Sequence, residues 1–123
     1  MEVTEKKIGN AVVLSLSGRL DQQGTPRIYA PLSAGEMFIV LDMEDVDYVA
    51  SSGISALLSL VRRAREKDGD VVLARLQKQI STVIKSMRLD KVFDVYSDVK
   101  SAAAAVVEGP TKPIPDLKDG NRR

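Results

Sequence analysis

The chain has no cysteine, no histidine and no tryptophan. Without cysteine there is neither a disulfide framework nor thiol chemistry. Without cysteine and histidine together, a His-based catalytic triad, a thiolate nucleophile and an ordinary zinc site are all excluded. Aromatic residues are scarce as well, three Tyr and two Phe, so few rings are available to stack bases. The basic run Arg62, Arg63, Arg65 and Lys67 therefore reads as a solvated or protein-docking helix face, and no nucleic-acid partner is expected. No charge sign dominates: 18 basic and 17 acidic residues leave a net +1, which gives no global field towards nucleic acid or an anionic membrane. No apolar run approaches the ~20 residues that span a bilayer. The start, Met1 to Lys7, lacks the apolar stretch of a signal peptide, so a soluble, cytoplasmic protein with no membrane partner is expected. Glycine-rich phosphate loops are also missing.

What is present is enough for one domain. A chain of 123 residues with 44% hydrophobic content can close a single core, whereas two domains would each be undersized. Val3 to Lys7 reads as a charged edge strand, Gly9-Asn10 as a turn, and Ala11 to Ser17 as the second strand of a hairpin that Gly18 to Asp21 ends. Thr25-Pro26 predicts a helix with Thr25 as its cap, kept short by Pro31. Met37 to Leu41 is an apolar strand. Ile54, Leu57, Leu58 and Val61 then recur at helical spacing, and the turn carrying Asp45 to Ser52 joins the two. Lys67 to Asp70 is a stop, Val71 to Ala74 a strand, and Ile80, Val83, Ile84 and Met87 a helical stripe. Phe93 to Tyr96 is a last strand, and Val99, Ala102, Ala103 and Val106 a last helix. The fold class is α/β: a mainly parallel sheet with an N-terminal hairpin strand, about five strands and four helices. Three of the five prolines fall after Glu108 in a stretch without periodicity, which predicts an ordered domain over 1–107 and a disordered tail over 108–123.

In parallel sheets, functional groups collect at the carboxyl ends of strands and the helix starts that follow them. Two turns qualify, the one with Asp21 and the one from Asp45 to Ser52. Ser51 and Ser52 open a helix, where serine is a favoured cap and where free N–H groups and the helix dipole favour an anion. A phosphate there meets no acid from Ser52 to Ala64 and changes surface charge by about −1.5 to −2, which suits control of docking. A calcium loop starting at Asp42 fails, because its sixth place is Asp47 and its twelfth Gly53. A receiver-type phosphoaspartate domain, with Asp42 as acceptor, lacks a paired acid, since only Asp21 is available. No metal or other cofactor is expected.

Gly18-Arg19-Leu20-Asp21 resembles a G-x-L-D turn, and Leu41 through Ser55 resembles a strand, loop and D-S-[ST]-G-[LI]-G helix start. Together these resemble the STAS domain of bacterial anti-sigma-factor antagonists over about residues 3–107. The resemblance implies a non-enzymatic partner-switching protein. Its partners would be an anti-sigma factor that is a serine kinase of the histidine-kinase ATPase fold, and a phosphatase of the PP2C type. The unphosphorylated form would bind the anti-sigma factor and free a sigma factor, and phosphorylation would end the binding. Ser51 matches the phosphate acceptor, Ser52 its neighbouring hydroxyl, Gly53 the helix-start glycine and Asp21 the nearby acid. The docking edge would comprise Asp21, Asp47, Tyr48, Ser52, Gly53, Ile54 and Ser55. The chain departs from the pattern at Ala50, where the family has an acid, at Ser55, where it has glycine, and at Pro31. A constitutive STAS-like scaffold or transporter accessory subunit, whose serines only cap the helix, is the alternative.

Overall fold

The computed structural model describes residues 1–112. β1 (Glu2–Ile8) and β2 (Ala11–Leu20) form the expected hairpin. Its turn uses Gly9 at φ +61°, a left-handed conformation that costs glycine nothing. β3 (Phe38–Val49), β4 (Asp70–Ala74) and β5 (Val95–Tyr96) then add in chain order, each parallel to its predecessor. Each crossover steps the same way across the sheet. With the right-handed rule, α1 (Thr25–Ser33), α2 (Ser51–Glu66) and α3 (Lys78–Ser86) therefore stack on one face. α4 (Val99–Val106) returns over the other.

Strand alternation supplies both cores. Leu14, Leu16, Ile39, Leu41 and Leu73 point towards Ile28, Leu57, Leu60, Ile80 and Phe93 on the three-helix side. Val13, Val40, Val72 and Ala74 point the other way, beneath Ala102, Ala103 and Val106. Each face is thus covered, which is why β4 is buried at all five positions.

Several expectations need correcting. The stretch from Asp45 to Val49 is strand, not turn: β3 runs 12 residues and reaches Val49. Thr25 does not cap α1; a single 3-10 turn over Gln22–Gly24 precedes it, and Gly24 holds the cap position. Pro31 lies inside the helix, which ends two residues later, so shortness rather than a break is its effect. Met87 sits at the C-cap of α3 and is 54% exposed, outside the apolar stripe assigned to it. The basic run on α2 is not one surface, because Arg65 is buried and its Nε donates to Asp70 Oδ1 at 2.8 Å while Nη2 donates to the Val92 carbonyl at 2.7 Å. Of the expected tail, residues 108–112 are described: Thr111 donates to Asp94, and Lys112 Nζ to the carbonyls of Asp90 and Phe93. Residues 113–123 lie outside the described residues. No described helix is long and apolar enough to cross a membrane.

Candidate functional site

β2 and β3 run parallel and end together, with Leu20 opposite Val49. The Leu20 carbonyl is where the two motif stretches meet. It accepts from the Ala50 N–H at 3.0 Å. Gly53, on the first turn of α2, also lies over it: a Cβ at Gly53 would stand 2.4 Å from that oxygen. Glycine is required there by close backbone approach, and it fixes how near the helix start comes to the Asp21 turn.

β3 reaches this edge through two irregularities. Between Ser15 and Ser17, β3 advances from Asp42 to Asp45; between Gly18 and Arg19, it advances from Val46 to Tyr48. Each bulge inserts one extra residue, and bulges twist a strand and re-aim its side chains. The result keeps Val46 in the core while leaving Asp47 and Tyr48 exposed.

The serines do not cap α2. Ala50 holds the N-cap position, extended at φ −79° and ψ 167°, and Ser51 is the first helical residue. The Ser51 and Ser52 hydroxyls make no hydrogen bond among the described residues. The first intrahelical bond runs from Ile54 N–H to the Ala50 carbonyl at 3.0 Å, so the N–H groups of Ser51, Ser52 and Gly53 precede it. No acid occupies the first turn of this 16-residue helix. An anion on Ser51 would meet those donors and the positive end of the helix dipole.

The remaining expected residues divide. Ser51, Ser55, Asp47 and Tyr48 are exposed, and Asp21 and Ser52 partly so. Asp21 has a structural task, since its Oδ1 accepts from the Gln23 N–H at 3.0 Å and caps the 3-10 turn. Gly53 and Ile54 are buried, Ile54 at 7% exposure within the core. Both were expected at the docking edge, and in the free chain both pack beneath it.

Asp42 is not an open acceptor. Arg75 grips both its oxygens, at 3.0 and 2.8 Å, and the Ser15 hydroxyl donates at 3.2 Å. Burial alone would raise the Asp42 pKa, but donation from Arg75, the Glu44 N–H and Ser15 outweighs it and holds the carboxyl below its ordinary value. Arg75 also reaches Glu44 at 3.1 Å, from a left-handed backbone at φ +57°. A carboxylate bound this way is a structural ion pair, and the receiver-type reading falls with it. Sequence reasoning missed Arg75; its only cue was a charged residue directly after a fully buried strand.

A family model for the STAS domain matches residues 2–102. The chain belongs to the STAS domain family. A curated relative, BtrV of Bordetella bronchiseptica, provisionally named an anti-sigma factor antagonist, is 28% identical over 109 residues, covering 85% of this chain and 94% of BtrV. Among solved structures, the Bacillus cell fate determinant SpoIIAA in its phosphorylated form shares this STAS fold at 20% identity and a TM-score of 0.65, over 85% of this chain and 99% of SpoIIAA. A sulfate transporter family protein from Wolinella succinogenes does so at 13% identity and a TM-score of 0.70, over 80% and 86% of the two chains. The STAS fold alone therefore does not choose between regulator and transporter module.

Proposed function

We propose that this STAS domain is an anti-sigma factor antagonist working by partner switching. The unphosphorylated chain binds an anti-sigma factor that is also a serine kinase of the histidine-kinase ATPase fold, and so frees a sigma factor. The kinase transfers the γ-phosphoryl group of ATP to Ser51. The bond from the γ-phosphorus to the β–γ bridging oxygen breaks, a bond to Ser51 Oγ forms, and the hydroxyl proton leaves to a base of the kinase site. A PP2C-type phosphatase reverses the step. The chain itself is substrate and ligand, not catalyst.

The observation that carries this reading is the position of Ser51: exposed, first in a long helix, with a hydroxyl committed to no cap. The antagonist name of BtrV and the phosphorylated form of SpoIIAA support it. A phosphoserine adds about −1.5 to −2 charge at neutral pH. On an edge that already carries Asp21 and Asp47, and facing a kinase whose nucleotide brings phosphates to the same place, that charge disfavours the complex.

The test uses the purified chain, ATP and the ATPase-fold kinase encoded nearest its gene. Phosphate is expected on Ser51 by mass spectrometry and absent from Ser51→Ala. Ser51→Asp is expected to bind the kinase more than tenfold more weakly, about 1.4 kcal/mol, by calorimetry. Phosphate on another residue, or wild-type behaviour from Ser51→Ala, overturns the assignment. A stable assembly whose Ser51 is never phosphorylated selects the constitutive scaffold instead.

A further inference from the structure

Among the described residues only Tyr48, Met87 and Val95 are large hydrophobics classed as exposed, and Tyr48, at 47%, is the one beside the Ser51 edge. Its ring is covered on one side by Arg19, whose guanidinium carbon lies 4.3 Å from the ring centroid. The second bulge is the cause. Gly18 pairs with Val46, so an unbroken register would set Arg19 opposite Asp47. The extra residue moves Tyr48 opposite Arg19 and turns Asp47 out to solvent. The guanidinium thus lies over an aromatic face rather than against a carboxylate. Its N–H donors have no acceptor among the described residues. Stacking removes the rotamer freedom that an exposed arginine otherwise keeps, so the donor fork is oriented before any partner arrives.

We propose that Arg19 is a specificity-determining residue of the docking edge, presenting this fork to a carboxylate of the partner while the partner's apolar surface covers the open part of Tyr48. A planar fork takes a carboxylate bidentately, and a stacked Arg–Tyr pair is the kind of rigid, amphipathic anchor on which interfaces concentrate their affinity. Asp47, exposed beside Tyr48, and Asp21, two residues along from Arg19, would disfavour an acidic partner surface on either side of it. The position of the partner's acid is thereby selected. The inference rests on the kinase-binding function proposed above.

The experiment measures affinity of the unphosphorylated chain for the same purified kinase, with ADP, at several salt concentrations. Arg19→Ala is expected to weaken binding about tenfold and to flatten its salt dependence, and Arg19→Lys to recover only part, because an ammonium lacks the fork. Tyr48→Ala should weaken binding too, and its effect should not add to that of Arg19→Ala. Melting temperatures near wild type for the Arg19 variants exclude a merely structural role. Wild-type affinity and salt dependence in Arg19→Ala overturn the inference while leaving the function standing. Full recovery by Arg19→Lys overturns the bidentate carboxylate contact. A wild-type chain that does not bind the kinase overturns the function, and this inference with it.

Discussion

Two residues show how much of the site is decided by single atoms. Gly53 carries the approach of α2 to the Leu20 carbonyl, and any side chain must push the two apart. Gly53→Ala is expected to cost about 1–3 kcal/mol, as overpacking does, read from the denaturant midpoint. The same shift should move Ser51 relative to the Asp21 turn, so phosphorylation should slow even in the folded fraction. Arg75 offers a pH test. Because the folded-state pKa of Asp42 lies below its ordinary value, the ion pair stabilises the fold above the unfolded carboxylate pKa, and that stability is lost as pH falls through the folded value. Arg75→Asn keeps a residue that tolerates the left-handed backbone but leaves the buried carboxylate without its partner. It should lose about 1–3 kcal/mol at neutral pH. The gap to wild type should close in acid, checked by urea unfolding at a series of pH values. Neither residue was legible as such. The sequence motif marks Gly53 without saying what it touches, and Arg75 pairs with an acid 33 positions away.

At the scale of elements, the helices and most strands were legible because their apolar residues keep the period of the face they bury. β3 was the exception. Its two bulges break the alternation at Glu44-Asp45 and at Asp47, so exposed acids fall inside a strand and the stretch reads as a turn. The start of α2 was misread for a related reason. Serine is the commoner cap, but the Ala50 N–H is bound to Leu20, which sets the helix boundary one residue before Ser51. Ala50 therefore has the backbone of a cap without its side chain. Ala50→Asp should supply the missing acceptor and stabilise the protein by about 0.5–2 kcal/mol, seen as a raised melting temperature. Arg65 was assigned to the surface from its basic neighbours. Its spacing of four and eight from Val61 and Leu57 was the signal that it faces inward.

Across the whole molecule, the Arg65–Asp70 pair links α2 to β4 and, through Val92, to the segment that leads into β5. Its side chains are 1% and 2% exposed. Asp70→Asn should destabilise the protein strongly, by about 3–5 kcal/mol, because it removes the buried carboxylate charge to which the Arg65 Nε is bonded. A melt followed at once by far-UV signal and by Tyr fluorescence should drop as one transition if the three parts unfold together. Similarly global is the role of α4, the one described helix on its face of the sheet. A chain cut before Asp98 should bind a hydrophobic dye that the chain through Lys112 does not.

The strict chain order of the sheet has a consequence for biosynthesis. Each strand has its only earlier neighbour already made when it leaves the ribosome, so the sheet can grow by addition at one edge as the chain emerges. The three crossover helices seal their face as they appear. The opposite face, with Val13, Val40, Val72 and Ala74, stays uncovered until α4 is synthesised. Until then this protein is a half-dressed sheet, and α4, the last of the described helices, closes the interval in which a chaperone has something to hold.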